Sequence, residues 1–168
     1  MERIADLKLA EDLILQEVRQ LVLAAKNVMA REPTSPAEGI NILNNLRKTI
    51  YEDLNQIQHE AIILRAAQSL KNKDLQGEKV ELYWNPRQTG TAEEPDLQAV
   101  VAGRIAVSAE ITASDRPIGT IAKRMNATLQ KLSRMPGKRI YFVSTEAMEK
   151  QARTKVRNAG YQIEVRRV

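Results

Sequence analysis

The sequence predicts an α/β fold in which a long N-terminal helical hairpin is followed by a mixed β-sheet of about five strands flanked by helices. Apolar residues recur every seven positions over the first seventy residues, a period typical of long helices. After Gly77, short apolar runs alternate with helical stretches, which indicates an α/β layer. A chain of 168 residues is long enough to bury a substantial core. We therefore expect a helical hairpin, suited to oligomerisation, over residues 1–54 and an α/β core over residues 55–168.

The first predicted helix spans residues 3–30, and the second spans residues 36 to about 71. The segment REPTSPAEG, residues 31–39, separates them with two prolines and a glycine. Ser35 before Pro36 is a plausible helix cap. Both helices carry apolar residues at seven-residue spacing: Leu7, Ile14, Leu21 and Val28, then Leu43, Ile50, Ile57 and Leu64.

The second helix would be about 54 Å long at 1.5 Å per residue, which exceeds the size of a small domain. The two helices are therefore expected to form an antiparallel hairpin that extends from the core, and their apolar residues favour a partner chain. We expect a homodimer or a higher homo-oligomer formed through these helices. The alternative is a hairpin whose two apolar stripes cover each other.

The remaining elements follow in the order strand, strand, strand, helix, strand, helix, strand. A polar loop over residues 85–95 follows the first strand, and Gly103 is the expected turn between the second and third. Gly160 is expected to end the last helix. The other predicted elements are strand 79–84, helix 117–134, strand 139–144, helix 145–160 and a closing strand from 161 to 168.

Two carboxylates stand in the otherwise apolar hairpin EPDLQAVVAGRIAVSAEITASD, residues 94–115. If the residue numbers of cross-strand partners add up to 206, Asp96 faces Glu110 directly. If they add up to 205, the two acids lie on opposite faces of the sheet. The first register also pairs polar with polar residues, so we prefer it. Because opposed like charges on one sheet face are unfavourable, this register suggests a metal ion between the acids.

Residue usage limits the kind of metal site. The chain has no cysteine and a single histidine, His59, which excludes thiolate and histidine-rich sites and the usual Ser/His catalysis. We expect His59 to be a polar helix residue rather than a ligand. A metal held by oxygen is expected to be magnesium or manganese.

The charge of the chain is unevenly distributed. Residues 1–113 carry 13 Lys and Arg against 17 Asp and Glu, while residues 114–168 carry 13 against 4. Such a basic third is typical of a surface that binds a polyanion, although an ordinary solvated basic surface would give the same composition. The candidate nucleic-acid contacts are Lys123, Arg124, Lys131, Arg153, Lys155 and Arg157.

The element order and the two acids resemble the core of the PD-(D/E)xK nuclease superfamily, which has the restriction-endonuclease-like fold. The resemblance covers about residues 55–168 and is carried by Pro95-Asp96 and Glu110-Ile111-Thr112. It implies that Asp96 and Glu110 bind a divalent metal. An acid on the preceding helix often joins them in that family, and Glu60 occupies this place, although it could equally be a solvent-facing glutamate.

The departure from the family pattern is Thr112, which stands where a lysine assists the attacking water. A threonine can hydrogen-bond a water molecule but supplies neither a cation nor a base that titrates near neutrality. Lys123 and Arg124 on the following helix are candidates to replace that lysine. Asp96, Glu110 and Thr112 are therefore the expected catalytic positions.

Three functions remain open at this point. The first is a metal-dependent DNA endonuclease, a phosphodiester hydrolase that Thr112 makes weak or inactive. The second is a catalytically inactive nuclease-fold protein that binds nucleic acid or assembles as a homo-oligomer, and the third is a helical scaffold unrelated to nucleic acid. No segment reads as a secretory signal or a membrane span, so we expect a cytoplasmic protein without membrane contact.

Overall fold

The chain, analysed as a computed structural model, is described over residues 1–75, 77, 79–86 and 93–168. The predicted loop 85–95 lies partly outside the described residues. The elements are β1 (Glu2–Ile4), α1 (Leu7–Met29), α2 (Pro36–Lys73), β2 (Val80–Trp84), β3 (Leu97–Val101), β4 (Arg104–Thr112), α3 (Thr120–Ser133), β5 (Lys138–Val143), α4 (Glu146–Ala159) and β6 (Glu164–Arg167). They confirm the predicted mixed α/β fold with an N-terminal helical pair.

The strands form one six-stranded sheet in the order β1 to β6. Strands β1 to β4 pair antiparallel, while β5 and β6 are parallel to β4. The strand missing from the sequence prediction is β1, which covers the outer edge of β2. Its three residues include the charged Glu2 and Arg3, so it has no apolar run that would indicate a strand.

The two long helices begin at capped residues. The Asp6 carboxylate accepts hydrogen bonds from the backbone N–H groups of Lys8 and Leu9, and the Ser35 hydroxyl accepts one from Glu38. Helix α2 is unbroken over its 38 residues, so the boundary expected between residues 54 and 55 falls inside this helix. The helix therefore passes without interruption from the hairpin into the α/β core.

The core has two layers, one on each face of the sheet. Ile140 and Phe142 of β5 pack with the buried residues of α1 and α2, whereas Tyr141 and Val143 pack with those of α3 and α4. This alternation follows from the period of two along a strand. Because the sheet is covered on both faces, Glu110 in the inner strand β4 is buried although it carries a carboxyl group.

The β3–β4 hairpin contains both registers that its sequence allows. Next to the turn, Val101 pairs with Arg104, and Ala102 and Gly103 form a two-residue turn with φ of 49° and 74°. A bulge between Ala99 and Val100 then shifts the pairing, so that Leu97 lies opposite Ala109. The preferred register therefore holds at the end of the hairpin that carries the two acids.

A charge cluster joins the end of α2 to the last two strands. Arg166 of β6 donates two hydrogen bonds to the Asp74 carboxylate, one of 2.7 Å, and Lys138 of β5 donates another at 2.9 Å. Glu164 pairs with the same two cations. These contacts hold the pKa of Asp74 at about 2, because the Arg166 hydrogen bond outweighs the effect of burial. We call these four residues the Asp74 clamp.

Over the described ranges, no helix has the length and apolar character required to cross a membrane.

Candidate functional site

The two carboxylates identified in the sequence are both buried at one end of the hairpin. Asp96 immediately precedes β3 and is 8% exposed, while Glu110 lies in β4 and is 5% exposed. The register that pairs Leu97 with Ala109 places Asp96 opposite Glu110 when it is continued by one residue. The Asp96 Oδ2 atom accepts a hydrogen bond of 2.7 Å from the Ile111 backbone N–H. This bond holds the Asp96 carboxylate against β4.

His59 of α2 is the second group that contacts Asp96. Its Nε2 atom lies 3.5 Å from Asp96 Oδ2 and 3.3 Å from the Ile111 carbonyl oxygen, and the residue is 7% exposed. Burial by itself lowers the pKa of His59, but the hydrogen bond and charge of Asp96, the Ile111 carbonyl and the charge of Glu60 together raise it. His59 is therefore a buried partner of Asp96 rather than a polar residue on an exposed helix face.

Lys131 of α3 is the cation that contacts Glu110. Its Nζ atom lies 2.7 Å from Glu110 Oε1 and also donates a hydrogen bond of 2.7 Å to the Glu94 carbonyl oxygen. The Lys131 side chain is 29% exposed, so the ammonium group remains partly accessible to solvent. The structure thus brings Lys131, one of the residues expected to contact nucleic acid, next to Glu110. Among the contacts of the described residues, none joins Lys123 or Arg124 to either acid.

The electrostatic cost of the site falls on Glu110. Burial and the charge of Asp96 raise the pKa of Glu110 to about 7, although the Lys131 ion pair and the His59 charge act in the opposite direction. A carboxyl group with such a pKa exchanges its proton near neutrality. Perturbed titration of this kind is enriched at functional sites, although structural ion pairs also produce it.

Thr112 is held by a neighbouring strand. Its hydroxyl group lies 2.7 Å from the hydroxyl of Tyr141, in a hydrogen bond that either residue can donate. Tyr141 of β5 pairs with Glu110 in the sheet and is fully buried, and its pKa is raised to about 12 mainly by that burial. Thr112 therefore stands beside the site but contributes no charge to it.

The donor atoms present fit a hard divalent cation. Asp96 and Glu110 offer carboxylate oxygens, and one or two carboxylates, with waters and substrate phosphates, are a common ligand set for Mg²⁺. Glu60, the third expected ligand, is also buried, with 3% exposure. Within the described part of the chain, no three His, Asp or Glu side chains are arranged to hold a metal ion. The fit therefore rests on the Asp96 and Glu110 pair.

The other expected nucleic-acid contacts divide into two groups. Lys123, Arg124 and Arg157 are exposed on α3 and α4. In contrast, Arg153 bonds to Glu149 and to the Val165 carbonyl, and Lys155 donates a hydrogen bond of 2.7 Å to Asn126. The first group is available to an incoming phosphate, whereas the second is already engaged within the chain.

Sequence reasoning missed the roles of His59 and Lys131, because both reach the acids from helices distant in the chain. A weak signal existed for His59, which lies two residues before the apolar run over residues 61–64. For Lys131 the spacing from Glu110 carried no such signal.

Comparisons of the chain with protein-family models, with curated proteins and with solved structures return no match.

Proposed function

We propose that this chain is a metal-dependent endonuclease that hydrolyses phosphodiester bonds in DNA, with Lys131 in the role of the lysine that Thr112 replaces. Asp96 and Glu110 would hold Mg²⁺ or Mn²⁺. The observation that supports this proposal is the 2.7 Å contact between Lys131 Nζ and Glu110 Oε1. It places an ammonium group beside the second acid, which the sequence motif alone does not provide.

Each residue has a separate task in this proposal. A bound Mg²⁺ or Mn²⁺ would polarise a phosphoryl oxygen and lower the pKa of a water molecule. His59 and the Ile111 N–H orient the Asp96 carboxylate, as partners behind a ligand commonly do. Lys131 stabilises the negative charge that develops on the phosphoryl oxygens. The exposed Lys123, Arg124 and Arg157 would contact the DNA backbone without reading its sequence.

The role of Lys131 can be tested by moving the lysine. The Lys131→Met variant should lose about 100-fold or more of its Mg²⁺- or Mn²⁺-dependent nicking of supercoiled DNA, since it loses the ammonium group. The Thr112→Lys/Lys131→Met double variant should regain part of that loss, because residue 112 shares a strand face with Glu110 at a separation of about 7 Å. Asp96→Asn should abolish cleavage.

The matched control is Lys123→Met, which removes an exposed lysine from the same helix. It should leave the cleavage rate under saturating DNA nearly unchanged. Nicking by Lys131→Met at the wild-type rate would contradict the proposed role of Lys131. Wild-type protein that binds DNA but never nicks it, with either metal, would reject the endonuclease function itself.

A second candidate function is a nuclease-fold subunit that binds nucleic acid or assembles without catalysis. It is favoured by the fact that each acid already has a partner within the protein, the Lys131 ammonium for Glu110 and the His59 imidazole for Asp96, whose pKa is raised. Charge balance at the site therefore does not require a metal. This function predicts that Mg²⁺ and Mn²⁺ leave the melting temperature unchanged, whereas the endonuclease predicts a rise that Asp96→Asn removes.

A further inference from the structure

The outer half of the helical hairpin is covered on one side only. The buried residues of α2 begin at Ile57, and none lies between 36 and 56. Helix α1 is the helix with which α2 makes its most extensive contact. Two isolated helices of this length have little stability of their own unless a further layer covers an apolar face.

The predicted apolar stripes are used for the contact between the two helices. Ile14 is buried, and Leu7, Leu21 and Val28 are half-buried, as are Ile42, Leu46 and Ile50 on α2. Leu7, Ile14 and Leu21 of the α1 stripe are covered within the chain, so a partner chain would have to bind other residues. Leu43, which belonged to the predicted α2 stripe, is 64% exposed instead.

A second set of large apolar residues lies about a quarter of a turn further round each helix. On α1 it follows each inner residue by one position, which is about 100° at 3.6 residues per turn. On α2 its members are spaced by three, eight and three residues, so they form one continuous stripe. These residues are Leu15, Val22 and Met29 on α1 and Ile40, Leu43, Tyr51 and Leu54 on α2, each between 41% and 67% exposed.

The two exposed stripes lie on the same side of the hairpin. Both are rotated from the inner stripe in the direction of increasing residue number, and the helices run antiparallel. The inner stripes of the two helices face each other. Turning by the same angle about two antiparallel helix axes moves from each inner stripe to the same side of the hairpin. We call these seven residues the hairpin face. The opposite side of α2 carries polar residues, including Asn45 and Glu52, although α1 has exposed Leu9 and Leu13 there.

We infer that the hairpin face is the surface through which two copies of this chain associate. Seven apolar side chains that are more than two-fifths exposed leave an apolar patch of several hundred Å², as large as the patches that mark interaction sites. With flanking polar residues the face approaches the roughly 800 Å² that each partner contributes to a standard interface. An identical two-helix face completes a four-helix bundle through a two-fold axis, the commonest symmetry of oligomers.

Analytical ultracentrifugation of three full-length proteins tests this inference. Wild type should sediment with twice the mass of one chain at micromolar concentration. In Leu43→Glu/Leu54→Glu the dissociation constant should rise at least about 100-fold, because two carboxylates would be buried in the interface. Leu9→Glu/Leu13→Glu places the same charges at equally exposed leucines on the other side of the hairpin and should remain a dimer. Circular dichroism verifies that both variants retain their helices.

Wild type that stays monomeric would overturn the inference, as would dissociation of the Leu9→Glu/Leu13→Glu control. A dimer that survives Leu43→Glu/Leu54→Glu would overturn it too. A monomer whose hairpin face instead binds phosphatidylcholine vesicles would assign the face to lipid and reject the second copy. None of these outcomes depends on whether the site cleaves DNA, so the inference and the proposed function fail separately.

Discussion

Replacing Glu110 by glutamine measures what the candidate site costs the fold. The pKa of Glu110 is raised to about 7 from an ordinary value of 4.5, mainly by burial. Because the pKa of Glu110 is higher in the folded than in the unfolded protein, its protonated form stabilises the fold. This stabilisation is complete below pH 4.5 and is lost as the pH rises through 7. A difference of this size corresponds to about 3 kcal/mol of unfolding free energy. The value of about 7 already includes the opposing effect of the Lys131 ion pair.

We therefore expect Glu110→Gln to exceed the wild-type unfolding free energy by about 3 kcal/mol at pH 8 and to match it near pH 4.5. Urea unfolding can be followed through the single tryptophan, Trp84, which is 9% exposed. The midpoint at pH 8 should rise by about 1.5 M for a slope near 2 kcal/mol/M. The pKa of His59 is also raised, so His59 makes both wild type and variant less stable as the pH rises. The difference in unfolding free energy between variant and wild type is therefore the quantity to compare.

The control for this measurement is Glu146→Gln, at a carboxylate whose side chain is 88% exposed. Because this side chain is exposed, Glu146→Gln should stay within about 0.5 kcal/mol of the wild-type unfolding free energy at pH 8. If Glu110→Gln is less stable than wild type at pH 8, the ion pair with Lys131 outweighs the burial of the carboxylate. The cost assigned to the site would then be wrong.

Two further predictions concern the scaffold. Asp74→Asn should lower the unfolding free energy by about 2 kcal/mol at pH 7, because the clamp lowers the pKa of Asp74. As the pH falls from about 4 to about 2, the variant should lose less stability than wild type, in which both Asp74 and Glu164 take up a proton. A variant as stable as wild type in urea would contradict this prediction. Gly137→Ala should lower the unfolding free energy, measured in thermal melts, by at least about 1 kcal/mol more than Gly160→Ala does. Both glycines have a positive φ, but only at Gly137 would an added Cβ lie 2.8 Å from the carbonyl oxygens of Ile105 and Ala106. Equal losses would mean that the backbone at Gly137 relaxes.

The helices and the pairing of the two acids could be predicted because both depend on local periodicity. Alternation along a strand assigns every residue to a face once a single pair is known, so the Asp96 and Glu110 pairing followed from the polar and apolar residues of the hairpin. The alternation of polar and apolar residues does not predict a β-bulge. The turn at Ala102 and Gly103 and the pairing of Leu97 with Ala109 belong to different registers, and the extra residue between them was not predicted.

The partners of the acids could not be predicted, since they depend on how helices are placed on the sheet. Lys131 follows Glu110 by twenty-one residues and His59 precedes Asp96 by thirty-seven. A helical period gives the face that a residue occupies but not the neighbour that this face meets. The same limit applies to the hairpin. Seven-residue spacing identified the stripes of α1 and α2, but it did not distinguish a contact between these helices from a contact with another chain.

The two charge clusters of this protein differ in the sign of their effect on the fold. In the Asp74 clamp, Arg166 lowers the pKa of both Asp74 and Glu164 to about 2, so folding is favoured when these acids are ionised. At the candidate site burial raises the pKa of Glu110, and ionisation opposes folding. Well-packed apolar residues often replace buried charges without loss of stability. Folding therefore accounts for the clamp but not for a buried, ionisable Glu110, and this difference adds to the Lys131 contact as support for a functional role of Glu110.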